Sequence, residues 1–383
     1  MEKFKIVIKT YAGLEEDLRD ELQEKLGLKG KVLKRAVTVE GELEDIYLIN
    51  LHIGTALKVL VTIDEFRIFN EKQYYRYLKR IKWTDYLDVN DSFVVDSTIF
   101  TRLFNNSQIV SLKAKDAICD FFRDETGERP NVDKQNPDVR ISIHIADQQV
   151  SVLLDSSGKS LHIRGYKRGF HVAPLSEVLA YDILRKAKVK NKLVVDPMCG
   201  SGSFLTEAGL IKANVPPNFF REEFAFMKWK NFDSFTWENI RNQAKMAKEK
   251  VDLSLYGSDI SPKYQKISEE NIESAHLTSA AEISNEDFFD MIPPGPEGVL
   301  VFNPPYNERL REDDIAEFYR EIGDRLKQEW TGWDVWMISS NLSALKFVGL
   351  KTSRRFDLFN GSLQCKLVKY EMYKGSKKGK YMS

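Results

Sequence analysis

The stretch Lys192–Ile211, KLVVDPMCGSGSFLTEAGLI, reads as a strand, a glycine-containing loop and the start of a helix. Gly200 and Gly202 let the backbone turn tightly and approach a ligand at the mouth of a parallel sheet. From Lys192 onward, apolar runs alternate with helical patterns, as in a sheet built from βαβ units. The strands predicted there are KLVVD, LSLYGSD (253–259), AEISNED (281–287), GVLVFN (298–303) and DVWMIS (334–339). FDLFNGSLQCKLVKYEMY (356–373) reads as two further strands about an Asn360–Gly361 turn.

The 383 residues are 42% hydrophobic and 30% charged, with 57 basic and 57 acidic side chains. That length predicts more than one domain. No apolar run is long enough to span a bilayer and MEKFKIVIKT lacks the apolar centre of a signal peptide, so the cytoplasm is expected. Cys119, Cys199 and Cys365 are few and far apart, which suits a reducing compartment and excludes zinc-finger spacing. Basic residues collect at Arg76, Lys79, Arg80 and Lys82, and again at Arg164, Lys167 and Arg168. Each cluster reads as solvated surface at least as well as a binding face.

Upstream, strands and helices alternate in a different style. KFKIVIKT (3–10) reads as a strand, GLEEDLRDELQEKLG (13–27) as an amphipathic helix, and KVLKRAVTVEG (31–41) as an exposed strand. A helix and strand follow in residues 43–66. From Asn70 the pattern restarts with helices at 71–83 and 107–127, a strand at 91–99 and a strand pair turning near Asp147. Two small α+β units in series are expected.

The glycine loop lacks the third glycine of a dinucleotide fingerprint, where Leu205 stands, and has no phosphate-cradling Lys-Ser/Thr pair. Asp196 closes the strand instead, and a carboxylate there suits an ammonium group. Asp259 ends the next strand, where it can accept both hydroxyls of a ribose, and Ile260 can lie on an adenine face. Asp287 ends the third and can accept from an adenine amino group, with Phe288 beside it. Three acids on successive strand ends outline a pocket for S-adenosylmethionine.

Asn303-Pro304-Pro305-Tyr306 follows the fourth strand at the same edge. An exocyclic amine on a base is a poor nucleophile because its lone pair is delocalised. The side-chain carbonyl of Asn303 and the main-chain carbonyl of Pro304 can accept its two hydrogens and favour a tetrahedral nitrogen. Prolines hold those acceptors still, and Tyr306 offers a ring for a flipped base. No metal is needed.

DPMCGSGSF and NPPY resemble the class I, Rossmann-like methyltransferases that act on exocyclic or amide nitrogens. More narrowly, the chain resembles the THUMP-domain 23S ribosomal RNA guanine-N2 methyltransferases, whose members were once taken for N6-adenine DNA methylases. LHIRGYKR (161–168), APLSEVLA (173–180), FAFMKWKNFDSFTWENI (224–240) and LFNGSL (358–363) carry the likeness along the chain. The resemblance implies a ferredoxin-like segment over 1–60, a THUMP RNA-binding domain over 61–160 and, over 161–383, a methyltransferase domain with a mostly parallel seven-stranded sheet. It implies that Asp196, Pro197, Cys199, Gly200, Gly202, Asp259 and Asp287 bind S-adenosylmethionine, and that Asn303, Pro304 and Tyr306 bind the target base. The expected reaction is direct attack of guanosine N2 in 23S rRNA on the methyl group.

Transfer RNA is the nearest alternative substrate. The DNA N6-adenine reading shares the NPPY chemistry, but the chain after Tyr306 is taken up by strands and leaves no room there for a major-groove reader. Protein glutamine methylation poses a similar nitrogen problem. An RNA-binding module with an inactive transferase domain is a further alternative, against which the intact acids, glycine turn and NPPY speak. Oligomeric state has no reading in the sequence.

Overall fold

The computed structural model describes residues 3–168, 175–305 and 312–373. Two compact units emerge. The first comprises Met1–Thr10, Leu18–Leu161 and Arg221–Asn242, and the second Tyr11–Asp17, His162–Phe220 and Gln243–Ser383. The domain limits at 60 and 160 therefore stand as a proposal about sequence segments, while the compact units are composed of interleaved pieces.

The first unit is built on β1 (Phe4–Lys9), α1 (Glu15–Leu26), β2 (Lys31–Leu33), β3 (Ala36–Gly41), α2 (Leu43–His52) and β4 (Lys58–Arg67). It continues with α3 (Glu71–Arg80), β5 (Ser92–Phe100), α4 (Ser107–Thr126), β6 (Asn131–Val132), β7 (Val139–Ala146) and β8 (Gln149–Asp155). Side-chain caps set the helix starts. Asn70 Oδ1 accepts Gln73 N at 2.9 Å and Asn106 Oδ1 accepts Gln108 N at 2.7 Å, each satisfying an orphan donor. Gly127 ends α4 in the left-handed conformation.

Two expectations change here. KVLKRAVTVEG is not one strand but the β2–β3 hairpin, turning at Lys34–Arg35 with Arg35 at φ +58°. No Gly or Asn marked that turn. The two α+β units are not separate either: their strands join one sheet in the order β2-β3-β1-β4-β8-β7-β5-β6. β4 is long enough to pair β1 through Lys58–Val61 and β8 from Leu60 to Arg67, with a register shift between Thr62 and Asp64. Pairing removes what would otherwise be an open edge.

Residues 221–242 complete this unit. Arg221 is 5% exposed and its guanidinium donates to the carbonyls of Ser157, Ser160 and Lys159, each at 3.0 Å. Phe226 stacks on Phe224, and both meet Trp237 edge-on. Tyr47 of α2 lies 4.6 Å from the Phe226 ring centroid and 6.0 Å from that of Trp237. The aromatic insertion is thus core material for the first unit.

The second unit contains α5 (Glu177–Ala187), β9 (Val194–Asp196), α6 (Ser203–Lys212), the end of α7 (Ser234–Met246), β10 (Leu255–Ser258) and α8 (Pro262–Ser274). Then come β11 (Ala281–Ser284), β12 (Gly298–Phe302), α9 (Glu312–Glu329), β13 (Trp333–Ser339), β14 (Arg354–Asn360) and β15 (Leu363–Glu371). The sheet order is β11-β10-β9-β12-β13-β15-β14. The first five are mutually parallel, and the hairpin pairs antiparallel along β13. The C-terminal region is therefore a mostly parallel seven-stranded α/β sheet, as the sequence predicts. Parallel strands are buried on both faces, which explains runs such as GVLVF, every residue of which is buried. One face packs Val194, Leu205, Val299 and Val301, and the other packs Leu300, Phe302, Trp330 and Trp333.

Candidate active site

β9 and β12 are hydrogen-bonded neighbours, yet the chain winds from β9 outward to β10 and β11 on one side and from β12 to β13 on the other. That reversal is a topological switch point, and the crevice beyond the carboxyl ends of the strands there is where open α/β sheets hold ligands. Asp196 ends β9, and its register partner on β10 is Gly257, two residues before Asp259. Val299 and Leu300 face Val194 and Val195, so Asn303 follows β12 just past the level of Asp196. Asp196, Asp259 and Asn303 thus come to one sheet edge.

Asp196 is 2% exposed and, among the described residues, accepts one hydrogen bond, from Met198 N at 3.3 Å. Burial pushes its carboxyl well above the usual range; the Met198 N–H opposes this and the charge of Asp259 adds to it. A buried carboxylate with spare lone pairs and no cation beside it is chemically suited to an ammonium group. Burial likewise pushes the Cys199 thiol up, followed by the charge of Asp196. It is a packed, un-ionised thiol.

The half-buried Asp259 ties loop to helix: Oδ2 accepts Gly200 N at 3.0 Å and Oδ1 accepts Ser261 N at 2.9 Å. Each oxygen keeps a second lone-pair direction, so two vicinal hydroxyls can still be accepted. Gly200 and Gly202 sit at φ +53° and +73°, and a Cβ on Gly202 would come within 2.4 Å of Ser268 Oγ. Only glycine fits. Ile260 is 71% exposed, an apolar face beside Asp259.

Asp287 does not end a strand. β11 stops at Ser284, and Asp287 lies three residues on, in a turn where Oδ1 accepts Phe289 N at 3.0 Å. Phe288, expected beside the adenine, is 1% exposed and its ring stacks on Phe302 at 5.7 Å, inside the core. Pro304 is buried, Pro305 exposed and Asn303 half-buried. Tyr306 lies outside the described residues.

Asn271 is not among the site residues foreseen from the sequence. On α8 and fully buried, it donates from Nδ2 to Ser201 O at 2.9 Å and accepts Arg168 N on Oδ1 at 2.7 Å. One amide so fastens the glycine loop to the segment that precedes α5. Two of the three basic residues of that segment are not solvated surface, while Arg168 is exposed. Arg164 is 2% exposed, with Nε 3.3 Å from Glu207 Oε1 and Nη1 3.2 Å from Asn218 Oδ1, and Lys167 pairs with Glu177 at 2.5 Å. Tyr166 donates to the same Glu207 oxygen at 2.9 Å. These cations hold the fold of the site together.

Among the described residues no helix is long and apolar enough to cross a membrane, and no three His, Cys, Asp or Glu side chains gather to hold a metal.

Residues 164–369 match an RMKL-like methyltransferase domain, residues 70–155 a THUMP domain and residues 5–60 an RlmL ferredoxin-like domain. A Synechocystis protein that carries an RNA methyltransferase name is 36% identical over 94% of this chain and 95% of its own length. The ribosomal RNA large subunit methyltransferase K/L of Psychromonas ingrahamii is 33% identical over 95% of this chain, but the chain spans 50% of that protein. Among solved structures, the SMU.472 methyltransferase complexed with SAH superposes with a TM-score of 0.88 at 26% identity, covering 98% of this chain and 100% of that one.

Proposed function

The chain belongs to the RMKL-like methyltransferase family, with S-adenosylmethionine as its cofactor, and on that premise we propose that it methylates the exocyclic N2 of a guanosine in 23S ribosomal RNA. The observation that carries the reading is the meeting of Asn303-Pro304 with Asp196 at the switch point of the sheet.

When bound, the cofactor supplies an electrophilic methyl group on a sulfonium. In this reading Asp196 takes the ammonium of its amino-acid end, Asp259 the ribose hydroxyls, Ile260 one face of the adenine and Asp287 the adenine amine. The Gly200–Gly202 turn lets the main chain pass close by, with Pro197 and Cys199 shaping its wall. The Asn303 side-chain carbonyl and the Pro304 main-chain carbonyl accept the two hydrogens of the target amine. They align its lone pair for in-line attack and stabilise the positive charge that grows on nitrogen. Pro304 and Pro305 limit the motion of those acceptors. The stacking role of Tyr306 rests on the sequence. The THUMP segment makes RNA the expected partner, its structured surface gripped while one base is splayed into the crevice.

The test is nucleoside mass spectrometry of 23S and transfer RNA from cells with and without the protein. Loss of N2-methylguanosine from 23S rRNA is expected. Unchanged N2-methylguanosine, with loss of a methylated adenosine or of a transfer-RNA nucleoside instead, would overturn the assignment.

A further inference from the structure

Arg76, Lys79, Arg80 and Lys82 crowd α3 and the residues just after it. The structure separates them into two kinds. Lys79 lies 2.5 Å from an oxygen of Asp124 and Lys82 lies 2.8 Å from one of Asp85, so both charges are partnered. Among the described residues no carboxylate forms an ion pair with Arg76 or Arg80. Their guanidinium carbons lie instead 5.4 and 5.9 Å from the centroid of one ring, that of Tyr77. Tyr77 is braced in turn by Phe66 of β4, 5.3 Å away. Both arginines are exposed and Tyr77 is half-buried.

The spacing i, i+1, i+4 puts the three on one flank of the helix. Cations in a last turn complement the helix dipole, which accounts for Lys79 and Arg80 but not for Arg76 in the middle of α3. Two guanidinium planes gathered on an anchored ring give a flat cationic surface. A guanidinium stacks on a base with its face and bonds a phosphate with its edge. A duplex keeps its base faces inside and offers phosphates, 2′-hydroxyls and base edges, whereas a single strand offers phosphates and base faces together. In a chain with no net charge, such a patch is local and its complement is anionic and flat.

We infer that Arg76, Tyr77 and Arg80 form a stacking platform for a single-stranded segment of RNA. The inference rests on the RNA reading of the function and adds where, and which kind of strand, the first unit grips.

The test uses the full chain and a fluorescein-labelled single-stranded RNA of roughly 12 nucleotides, beside its blunt duplex, followed by anisotropy. Arg76→Ala with Arg80→Ala should raise the single-strand Kd about tenfold, since both guanidiniums are lost from the face on which a base stacks. The slope of log affinity against log salt should fall by about 1.4, from two lost phosphate contacts. Lys79→Ala with Lys82→Ala removes the same charge and should stay within about twofold of the wild type, because those ammoniums are already partnered. Far-UV circular dichroism and the urea midpoint, unchanged in both variants, report that the first unit still folds. Wild-type binding with unaltered arginine variants overturns the platform alone. Equal weakening by the lysine pair, or equal weakening on the duplex, also overturns it. A wild type that binds neither RNA overturns the RNA reading and the platform together.

Discussion

Replacing Asn271 by Leu keeps the branched shape, with bulkier methyls for the amide O and N, and removes both hydrogen bonds of the bracket behind the glycine loop. Ser201 O loses the donor at 2.9 Å and Arg168 N loses the acceptor at 2.7 Å, at a position with no exposed surface. A buried polar group left unpaired costs about 1–3 kcal/mol. The Ser201 carbonyl bears the full penalty, while the partly buried Arg168 N–H can recover some of it from water, so the two together should cost about 2–4 kcal/mol. Some of that loss falls on the loop rather than on the whole unit, because both freed groups border it. Cofactor binding must then re-form a loop that has slackened, and each 1.4 kcal/mol spent in this way is about a tenfold loss of affinity. Urea unfolding followed by tryptophan fluorescence should show the lower stability. Calorimetric titration should show S-adenosylhomocysteine bound at least about tenfold more weakly. A change in unfolding free energy under about 0.5 kcal/mol, with affinity held within twofold, would refute the idea that Asn271 positions the loop.

Asn303→Ala should lower kcat for RNA methylation by about a hundredfold or more while S-adenosylhomocysteine affinity stays near the wild-type value; parallel loss of both would contradict a role confined to the amine. Asp259→Ala should weaken cofactor binding by about tenfold or more, since it loses the loop-to-helix tie as well as the ribose acceptors, and an unchanged Kd removes it from the site. Glu207 carries a pH effect. Burial pushes its carboxyl up to about 7, well above the usual range of a glutamate, against the pull of Arg164. The folded chain therefore holds a proton that the unfolded chain has shed, and stability falls as pH rises through that window. Asp182, likewise pushed up to about 7 by burial, acts in the same sense. Glu207→Gln should reduce the fall in urea midpoint between pH 5 and pH 7, and an unaltered slope would rule out Glu207 as one of its sources.

The catalytic sheet is legible because parallel strands, covered on both sides, must be continuous apolar runs, and because Asp196, Asp259 and Asn303 each close or follow such a run at its carboxyl end. Other features left no mark on the sequence. Asn271 is a polar residue on an amphipathic helix, indistinguishable by spacing from a solvated one. Phe288 follows an acid, Asp287, and position alone does not say that its ring turns into the core beside Phe302. The β2–β3 turn uses Lys34–Arg35 where a Gly or Asn would have announced it. Arg164 and Lys167 look like surface charge, since their partners Glu207 and Glu177 lie on later helices at no local helical spacing from them. The insertion is visibly aromatic, but composition cannot say which core it will fill.

The ribosome makes Tyr47 long before Phe226 and Trp237, the rings that cover it. At roughly 5–20 residues per second, the interval to Phe226 is about 9–36 s. Once β8 is made, at Asp155, the nascent first unit has its strands but an uncovered aromatic bed, and β9 and α6 emerge before the bed is filled. The order of manufacture thus denies the N-terminal half an early finish. A chaperone that shields exposed rings should dwell on nascent chains halted before residue 221 and leave those halted well past residue 242.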